Sequence, residues 1–523
     1  MDTVVETIRR HAADKPDAPV FWSPAGTWTF GELWDASERA ASGLASLGIG
    51  PEDRVACLTK HTADCVVLCL AANLVGAVNM PINWRLSPSE IEYIVNNGGA
   101  RFMMADEGFL QAVAQTNTPS LMFTVATEAS SGKVPGFRDW LQDFSPLEAS
   151  VAASPTDTAL QLYSSGTTGL PKGVELTHEN LVAGILGPLP RALGYGGAPD
   201  VMLNALPTYH IAGVGIGLMT SAAGGYSVLY PDFDPPGVIR AFSEHQVTHA
   251  FFVPAMIQFL LATPGVEEGD YASLRNISYG ASPITQPVLL GGMETFKCDF
   301  MQVYGLTESG GAVTVLLPDD HDPGGPRAEL LRSAGEAIEG VDIRIVDPAT
   351  GEACAEGAVG EVWLRTRQNM KGYWANPEAT AEALVGRSGD ELGWLRTGDA
   401  GYMQGRFLFL HDRIKDMIVS GGENIYPAEV ENALMAHPAI ADGAIIGIPD
   451  EKWGESVMAC VVVKPDAVLD EQELIEFMRE RIAHFKCPRR VAVLDEIPRN
   501  PTGKILKRVL REPYWEGVER RVN

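Results

Sequence analysis

The sequence predicts a multidomain α/β protein, on three observations. Short apolar runs alternate with helical stretches of about ten residues over 30–105 and again over 202–303, which is typical of parallel sheets joined by crossover helices. A chain of 523 residues is too long for one hydrophobic core, so two to four domains are expected. The pattern changes to short alternating strands after residue 335 and to an α+β texture after residue 412.

The first α/β segment opens with a helix over 30–47, on which Leu33, Trp34 and Leu44 share one face. Gly48 and the residues up to Pro51 end this helix. The pattern then predicts a strand at 54–58, a helix at 63–75, a strand at 77–80, a helix at 88–96 and a strand at 101–105. Signals over 106–155 are weaker, and they end in Ser-, Pro- and Ala-rich chain.

The second α/β segment follows a short apolar strand at 159–162. Further strands are predicted at 202–206, 227–230, 249–253, 276–279 and 300–303, with helices between them. Strands at 341–346 and 360–365 suggest a small β subdomain. We therefore expect a large N-terminal domain, 1–412, made of subdomains at about 1–155, 156–330 and 331–412, and a small C-terminal domain, 413–523.

Composition excludes several classes of protein. A net charge of -27 argues against nucleic-acid binding, which needs basic surface, and against adhesion to anionic lipid. Seven scattered cysteines without a Cys-x-x-Cys pair predict neither a disulfide framework nor a zinc site.

One charge-free run, 211–231, is long enough to cross a bilayer. Gly224 and Gly225 interrupt it, so we predict a buried helix followed by a buried strand. The N-terminus lacks an apolar signal core, and a cytoplasmic protein is expected.

A glycine- and hydroxyl-rich loop follows the strand at 159–162. Glycine lets the backbone turn several N–H groups toward one point, hydroxyls add donors, and Lys172 adds a positive charge. Such a loop is suited to phosphate oxygens, although it does not spell G-x-x-x-x-G-K-[ST]. A flexible surface loop is the alternative interpretation. The candidate phosphate-binding residues are Ser164, Ser165, Gly166, Thr167, Thr168, Gly169 and Lys172.

Residues 164–173 resemble the signature of the adenylate-forming superfamily, which includes acyl-CoA synthetases, aryl-CoA ligases, luciferases and peptide-synthetase adenylation domains. Further motifs in the same order extend the resemblance to about residues 160–505; they lie at 301–308, 394–399, 412–431 and 500–504. The resemblance implies two related α/β halves and a mobile C-terminal lid that rotates about a hinge at Lys415.

The motif at 301–308 carries groups suited to a nucleotide. Tyr304 offers a ring for stacking on a base, Thr307 a donor for the α-phosphate, and Glu308 hard oxygen for Mg²⁺. Asp399 is suited to accept from two ribose hydroxyls, although a turn-capping Asp is the alternative. The resemblance implies further nucleotide-binding positions at Gly280, Ala281, Ser282, Gly305 and Arg413.

The resemblance also implies sites for the acid and for coenzyme A. The position of His210 lies beside the acyl carboxylate in the family, while a lone His is more often structural. The predicted acyl pocket is His210, Phe252, Val253, Gly280, Gly310 and Gly311. Lys504 would bridge the carboxylate and the α-phosphate. Candidate coenzyme A contacts are Gly421, Gly422, Trp453, Phe485 and Arg489, and the stretch 485–511 carries eight cations and two acids, 8 − 2 = +6.

These residues predict an ATP- and Mg²⁺-dependent ligase that forms an acyl-adenylate and transfers the acyl group to coenzyme A. The catalytic candidates are Lys504, Thr307, Glu308 and His210, with Glu308 as the metal ligand. Transfer to a carrier-protein thiol or to oxygen, and a non-catalytic nucleotide-binding protein, are the alternatives. The acid is a small molecule whose class is left open among medium-chain fatty, aromatic and alicyclic acids. Oligomeric state is also open, with a homodimer as one alternative.

Overall fold

The computed structural model describes residues 3–128, 134–148, 150–164, 170–196, 199–389, 391–421, 423–465, 467–499 and 505–516. Within them, the strands are β1 Pro19–Ser23, β2 Gly26–Thr29, β3 Arg54–Leu58, β4 Val78–Pro81, β5 Ala100–Ala105, β6 Phe123–Ala126, β7 Thr158–Ser164, β8 Lys172–Thr177, β9 Val201–Asn204, β10 Tyr226–Leu229, β11 His249–Phe252, β12 Asn276–Gly280, β13 Asp299–Leu306, β14 Gly311–Leu316, β15 Gly335–Ala337, β16 Asp342–Val346, β17 Gly360–Arg365, β18 Gly372–Tyr373, β19 Leu384–Val385, β20 Trp394–Gln404, β21 Phe407–Arg413, β22 Ile418–Ser420, β23 Glu423–Ile425, β24 Ile440–Asp450, β25 Gly454–Val463 and β26 Arg490–Val493.

The α-helices lie mainly between the parallel strands. They are α1 Val4–Asp14, α2 Phe30–Ser46, α3 Ala63–Leu74, α4 Pro88–Gly98, α5 Glu107–Ala114, α6 Phe137–Leu141, α7 His178–Ala183, α8 Pro188–Ala192, α9 Ile211–Ala222, α10 Pro235–Glu244, α11 Pro254–Leu261, α12 Gln286–Phe296, α13 Pro377–Ala383, α14 Pro427–Met435, α15 Glu471–Arg479 and α16 Lys507–Trp515.

The α/β class predicted from the alternating pattern is confirmed. One sheet runs in the order β18-β8-β7-β4-β3-β5-β6, and a second runs β16-β17-β20-β21-β15-β14-β13-β12-β11-β9-β10-β1-β2. The pairs among β3, β4 and β5 and among β9 to β13 are parallel, except where β14 turns back antiparallel on β13. Crossover helices such as α3 and α9 join these strands and are buried.

Local sequence explains where the helices start and stop. Helix α2 begins with a capping box, in which the Glu32 N–H donates to Thr29 Oγ1 at 3.2 Å and the Thr29 N–H to Glu32 Oε2 at 2.8 Å. It ends before Gly48, whose φ of 71° is left-handed. The charge-free run forms the buried helix α9 and then β10, as predicted. No helix in the described ranges is long and apolar enough to span a bilayer.

The two large sheets exchange strands across residue 155. Strands β7 and β8 join the sheet built from 54–126, while β1 and β2 join the sheet built from 201–413. The strands of the predicted β subdomain continue the second sheet through β13, β14 and β15. Strand pairing within the two sheets therefore continues across residues 155 and 330. The predicted subdomain boundaries at these residues stay a prediction.

The stretch 106–155 holds more structure than its weak signals predict. It contains helix α5, strand β6 and helix α6. Phe123 and Trp140 stack near Phe102 of β5, with ring centroids 6.2 and 5.4 Å from that residue. Each element is short, so it is stabilised by packing on the sheet rather than by its own periodicity.

The C-terminal part forms a third sheet, in the order β23-β22-β25-β24, with β26 pairing on β25. Its own hydrophobic core includes Ile418, Val430, Leu434 and Leu474. The segment of the predicted hinge, Ile414–Asp416, is a short 3₁₀ turn between β21 and β22. The side chain of Lys415 lies outside the described residues.

Candidate active site

The turn after β13 brings together most of the predicted nucleotide residues. Thr307–Ser309 is one turn of 3₁₀ helix, and Ser309 closes it by donating to Gly311 O at 2.9 Å. Gly310 and Gly311 follow with φ of 65° and 117°, a backbone that a side chain would strain. Tyr304 lies near the carboxyl end of the parallel strand β13, and Glu308 lies in the turn that follows it. Ligands bind at this edge in such sheets.

Glu308 is held by hydroxyl groups from two other elements. Ser164 Oγ at the end of β7 and the Tyr373 hydroxyl of β18 both donate to Glu308 Oε1, at 2.9 and 3.1 Å. Lys172 Nζ lies 5.0 Å from the centre of the Tyr373 ring. Burial and the neighbouring Glu308 raise the pKa of Tyr373, so it remains a hydrogen-bond donor. Ser164 and Lys172, which flank the glycine-rich loop, therefore both lie beside the Glu308–Tyr373 pair.

A second cluster lies on the other side of the same turn. The Tyr304 hydroxyl donates to Asp399 Oδ2 at 2.7 Å, and Arg413 Nε is 2.8 Å from Asp399 Oδ1. Burial and Asp399 raise the pKa of Tyr304, and Asp399 raises the pKa of Arg413. Asp399 is thus a largely buried acceptor between two donors, as a ribose-binding carboxylate would be.

An apolar cavity opens beside this turn. Its empty volume is about 580 Å³, counted with the space that is open to solvent. The lining residues come from the α7–α8 region, from α9 and from the strand ends: Ile185, Leu189, Leu193, Ile211, Ala212, Gly215, Ile216, Phe251, Ala281, Val303, Gly305, Gly311 and Ala312. No charged side chain is among them.

The predicted acyl pocket and this cavity overlap only in part. Gly311 lines the cavity, but Phe252 is buried in the core against Phe233 and Phe242, with ring centroids 6.4 Å away in each case. Phe251 points to the cavity in its place. Side chains alternate across a strand, so Phe251 lines this cavity and the predicted pocket residue Phe252 faces the opposite side of the sheet.

The other predicted pocket residues border the region. Val253 caps α11, and Gly280 ends β12 where any side chain would collide with the Val303 carbonyl. Gly310 approaches the Gln368 carbonyl, which also leaves no room for a side chain. Ala281, predicted for the nucleotide, lines the cavity, and Ser282 follows it in the same turn.

His210 forms the N-cap of α9, next to Tyr209, whose ring centroid is 4.6 Å away. Its Nε2 is buried without a hydrogen-bond partner among the described residues. Burial, assisted by the positive charge of Arg85, lowers the pKa of His210 to about 3. The ring is therefore neutral at pH 7 and does not act as a cation toward a carboxylate.

We predict that acid destabilises the fold through buried histidines. Burial lowers the pKa of His61 and His178 to about 4, and that of His210 to about 3, from an ordinary 6.5. The unfolded chain then binds protons that the folded chain does not, so stability is complete above pH 6.5 and falls toward pH 4. Each histidine contributes about 1.4 kcal/mol per pH unit in that window.

Urea unfolding of wild type, His178→Asn and His484→Asn between pH 7 and 5 measures this slope. His484 is exposed and serves as the control. The His178 variant should lose about 1.4 kcal/mol per pH unit of the dependence, and the His484 variant none. Equal slopes in all three proteins would contradict the assignment.

A third group lies in the C-terminal part. Trp453 packs over Gly421, whose N–H donates to Trp453 O at 2.8 Å, and the Arg489 guanidinium is 5.0 Å from the indole centre. Gly421 has φ of 62° and its Cα faces the Trp453 ring. Phe485 is 43% exposed, with Lys486 Nζ 5.7 Å from its ring. These residues form an aromatic and cationic surface.

Four of the eight cations in the basic stretch 485–511 form ion pairs with acids elsewhere in the C-terminal part, so its charge of +6 is partly neutralised within the fold. Lys486 pairs with Glu429, and Arg499 with Asp442, each at 2.7 Å. Lys507 pairs with Glu431 at 3.1 Å, and Arg511 with Asp416 at 2.7 Å. These cations anchor the C-terminal chain to β24, α14 and the hinge segment.

Several predicted site residues lie outside the described ranges. They are Ser165, Gly166, Thr167, Thr168, Gly169, Gly422 and Lys504. Sequence reasoning missed Tyr373 and Phe251. In the sequence, Tyr373 lies two residues after Lys371 in a short Gly-Tyr-Trp segment. This segment does not by itself indicate a site, because Tyr373 comes near Lys172 only through the pairing of β18 with β8.

Two family models match the chain. The model of the AMP-binding enzyme matches residues 8–374, and that of the AMP-binding enzyme C-terminal domain matches residues 429–504.

Similar proteins cover the chain almost completely. It is 36% identical over 534 residues to the fatty acid–[acyl-carrier-protein] ligase ScoC of Streptomyces coeruleorubidus, with 100% of this chain and 98% of that protein covered. It is 35% identical over 507 residues to feruloyl-CoA synthase of Amycolatopsis sp, covering 97% and 98%. Among solved structures, o-succinylbenzoate CoA synthetase of Bacillus subtilis with its acyl-adenylate intermediate aligns with a TM-score of 0.83 and 30% identity, covering 96% and 97%.

Proposed function

This chain belongs to the AMP-binding enzyme family and is an AMP-forming acid–thiol ligase of the adenylate-forming superfamily, and on that premise we propose what its site binds. The acid has an uncharged, apolar tail, Mg²⁺ is held at Glu308, and the acceptor thiol is that of coenzyme A. One observation carries the proposal. One segment, 304–311, which runs from the end of β13 through the turn to the start of β14, presents Tyr304 and Glu308 to two polar clusters, while its Gly305 and Gly311 line the apolar cavity.

The acid would lie with its carboxylate at this turn and its tail in the cavity. A carboxylate is ionised at neutral pH, so it needs no base to attack. Attack of its oxygen on the α-phosphorus forms the acyl–phosphate bond and breaks the bond to the β-phosphate oxygen, giving acyl-adenylate and pyrophosphate. The thiol sulfur then attacks the acyl carbon, loses its proton to solvent, and expels AMP.

The chain's own residues supply binding and charge for these steps. The loop between Ser164 and Lys172 would hold phosphate oxygens. The positive charge of Lys172 would offset the negative charge of the triphosphate. Asp399 would accept from the ribose hydroxyls, with Tyr304 and Arg413 fixing its orientation at 2.7 and 2.8 Å. Such preorganised groups lower the barrier because they need no rearrangement as charge develops.

Glu308 fits a magnesium ligand. Mg²⁺ is usually bound through one or two carboxylates together with substrate phosphates, and Glu308 offers a carboxylate oriented by two hydroxyls at Oε1. No group of three or more metal-ligating side chains occurs within the described residues, which agrees with an ion that relies on substrate oxygens. When bound there, the ion would neutralise phosphate charge.

We predict that Glu308→Gln lowers the rate of pyrophosphate release about ten- to hundredfold and raises the Mg²⁺ concentration that gives half-maximal rate. The amide keeps hydrogen-bonding capacity but loses the negative charge. The variant Glu336→Gln, at an ion pair in which Glu336 is partly buried and its partner Arg406 is exposed, is a matched control. A Glu308 variant with an unchanged Mg²⁺ requirement would remove Glu308 from the metal site.

The main alternative to this proposal concerns the thiol that accepts the acyl group. The relative with 36% identity is named as a ligase to acyl carrier protein, so transfer to a carrier-protein thiol is the second candidate. Coenzyme A is favoured by the Gly421, Trp453 and Arg489 surface, where a ring and a cation meet the requirements of an adenine nucleotide. Four of the eight cations of the basic stretch 485–511 are paired with acids of the protein, so these four do not support coenzyme A as the acceptor.

Pyrophosphate release with Mg-ATP over a panel of fatty, aromatic and alicyclic acids, with and without coenzyme A, tests the proposal. Sustained turnover that needs both an apolar acid and coenzyme A supports it. Turnover only with a carrier protein would overturn the acceptor, and a preference for acids with a charged tail would overturn the assignment of the cavity.

A further inference from the structure

The acyl cavity has one wall formed by a side chain between two glycine backbones. Ile185, in the turn between α7 and α8, is 3% exposed and lines the cavity with Gly215 and Gly311. A methyl group at Gly215 would lie 2.7 Å from Ile185 Cδ1, and one at Gly311 would lie 3.1 Å from Ile185 Cγ1. The isoleucine therefore fills the space that the absent side chains of both glycines leave.

The two backbones have little freedom to move. Gly215 lies inside the buried helix α9, and Gly311 begins β14 with φ of 117°. Gly311 also follows the turn of Glu308, which Ser309 closes. Changing the backbone at either glycine would move a core element, whereas changing Ile185 alters only a side chain at the cavity wall. At this wall, the size of the cavity can thus change through the side chain of residue 185 without a change in the backbone.

We propose that Ile185 is the residue that determines the length of the acyl tail accepted by the enzyme. The inference rests on the proposed function, because the cavity must hold the acid. With the carboxylate at the turn, the tail would extend past Gly311 toward Gly215 and contact Cγ1 and Cδ1 of Ile185 between them. Removing those atoms joins their space to the cavity, so longer tails fit without moving α9 or β14.

The size of the effect follows from the small volume involved. One methylene more or less in an apolar pocket changes specificity about tenfold or more. Ile185→Val removes one methylene, and Ile185→Ala removes three carbon atoms, so the optimum should move to longer acids in that order. Gly215→Ala puts a methyl group against Ile185 Cδ1 and should move the optimum to shorter acids. Alanine also favours the helix, so loss of fold is not the expected result.

The experiment measures kcat/KM for pyrophosphate release with straight-chain acids of about four to fourteen carbons. The proteins are the full-length wild type, Ile185→Val, Ile185→Ala, Gly215→Ala and the double variant Gly215→Ala with Ile185→Val. Leu181→Ala is the control, because Leu181 is buried at 1% exposure on the neighbouring α7 and does not line the cavity. Circular dichroism checks that each variant is folded.

We expect the ratio of kcat/KM for long over short acids to rise about tenfold or more in Ile185→Ala, to rise less in Ile185→Val and to fall in Gly215→Ala. The double variant should return toward the wild-type profile, since the valine lacks the atom that the new methyl group meets. The Leu181 control should keep the wild-type profile.

Two failures are distinguishable. Wild type that releases no pyrophosphate with any acid of the fatty, aromatic and alicyclic panel contradicts the proposed function, and wild type that accepts acids of that panel but no straight-chain acid overturns the inference. Active wild type with Ile185 variants that lose rate equally for every chain length assigns Ile185 to packing only, and overturns the inference. If Ile185→Ala does not fold, the valine and Gly215 variants still decide, because their expected shifts are opposite in sign.

Discussion

Lys504→Ala should lower acyl-adenylate formation about a thousandfold while thioester formation from a supplied acyl-adenylate stays within about threefold of wild type. The resemblance places this lysine between the substrate carboxylate and the α-phosphate, both anionic. Its positive charge would matter in the first half-reaction, when an anion attacks a triphosphate. It has no such task when a thiol attacks an acyl-adenylate.

The fold explains how such a lysine would be held. Lys504 lies outside the described residues, but the chain on either side of it is fixed. Arg499 and Ile505 form an antiparallel bridge, and the Leu506 N–H donates to Pro498 O at 2.8 Å. Arg499 pairs with Asp442 at 2.7 Å. The C-terminal part therefore holds the chain at Arg499 and at Ile505, on either side of the segment that contains Lys504.

The two half-reactions are measured separately, as acid-dependent pyrophosphate release and as thioester formation from synthetic acyl-adenylate and coenzyme A. Lys464→Ala removes an exposed lysine from the end of β25 and should leave both rates unchanged. Equal losses in both half-reactions of the Lys504 variant would show that the lysine is not specific to adenylation.

Arg54→Met should destabilise the protein by about 3–5 kcal/mol. The Arg54 side chain is 3% exposed, with Nη2 3.0 Å from Glu175 Oε1 and Nε donating to Gln161 Oε1 at 3.1 Å. Its guanidinium lies 3.4 Å from the centre of the Trp374 ring. The methionine fills similar volume but leaves the carboxylate of Glu175 buried and unpaired, which is the costly part of the change.

This arginine connects the elements around the glycine-rich loop. Arg54 is in β3, Gln161 and Glu175 are in the β7–β8 hairpin on either side of the loop, and Trp374 follows β18. Loss of the pair should therefore loosen the hairpin as well as lower stability.

Urea denaturation of the purified proteins measures the loss. Arg9→Met is the matched control, because Arg9 pairs with Glu6 at 2.8 Å on the surface, where both side chains are about half exposed, and such pairs contribute below about 1 kcal/mol. Arg54→Met with Glu175→Gln should recover part of the stability. If Arg54→Met costs no more than the Arg9 control, the buried pair does not stabilise the fold.

Motifs on single short segments were predicted from the sequence. The alternation of strands and helices indicated the α/β class. The residue types at 304–308 and at 399, and the resemblance for 413, predicted a nucleotide site, and the structure brings these residues into two clusters beside one turn. The individual roles of these residues stay predictions. Local pattern sufficed best for 301–308, because that motif lies at the carboxyl end of the parallel strand β13, where ligands bind in such sheets.

The register of the acyl pocket could not be predicted in the same way. The run 249–253 is apolar throughout because β11 is a parallel strand with both faces covered, and such strands lack the alternation that tells one face from the other. Only the packing of Phe252 against Phe242 shows that Phe251 faces the cavity.

By itself the sequence determined the α/β class and the order of the motifs, and the resemblance of those motifs to a known family implied the chemistry of an adenylating ligase, because these depend on residue types within short segments. Tertiary structure alone decided that Tyr373 meets Glu308, 65 residues away, that four cations of 485–511 are paired with acids of β24, α14 and the hinge segment, and that Ile185 lies against Gly215 and Gly311. Each of these contacts joins elements distant in the chain, and no periodicity or local propensity encodes which distant elements come into contact.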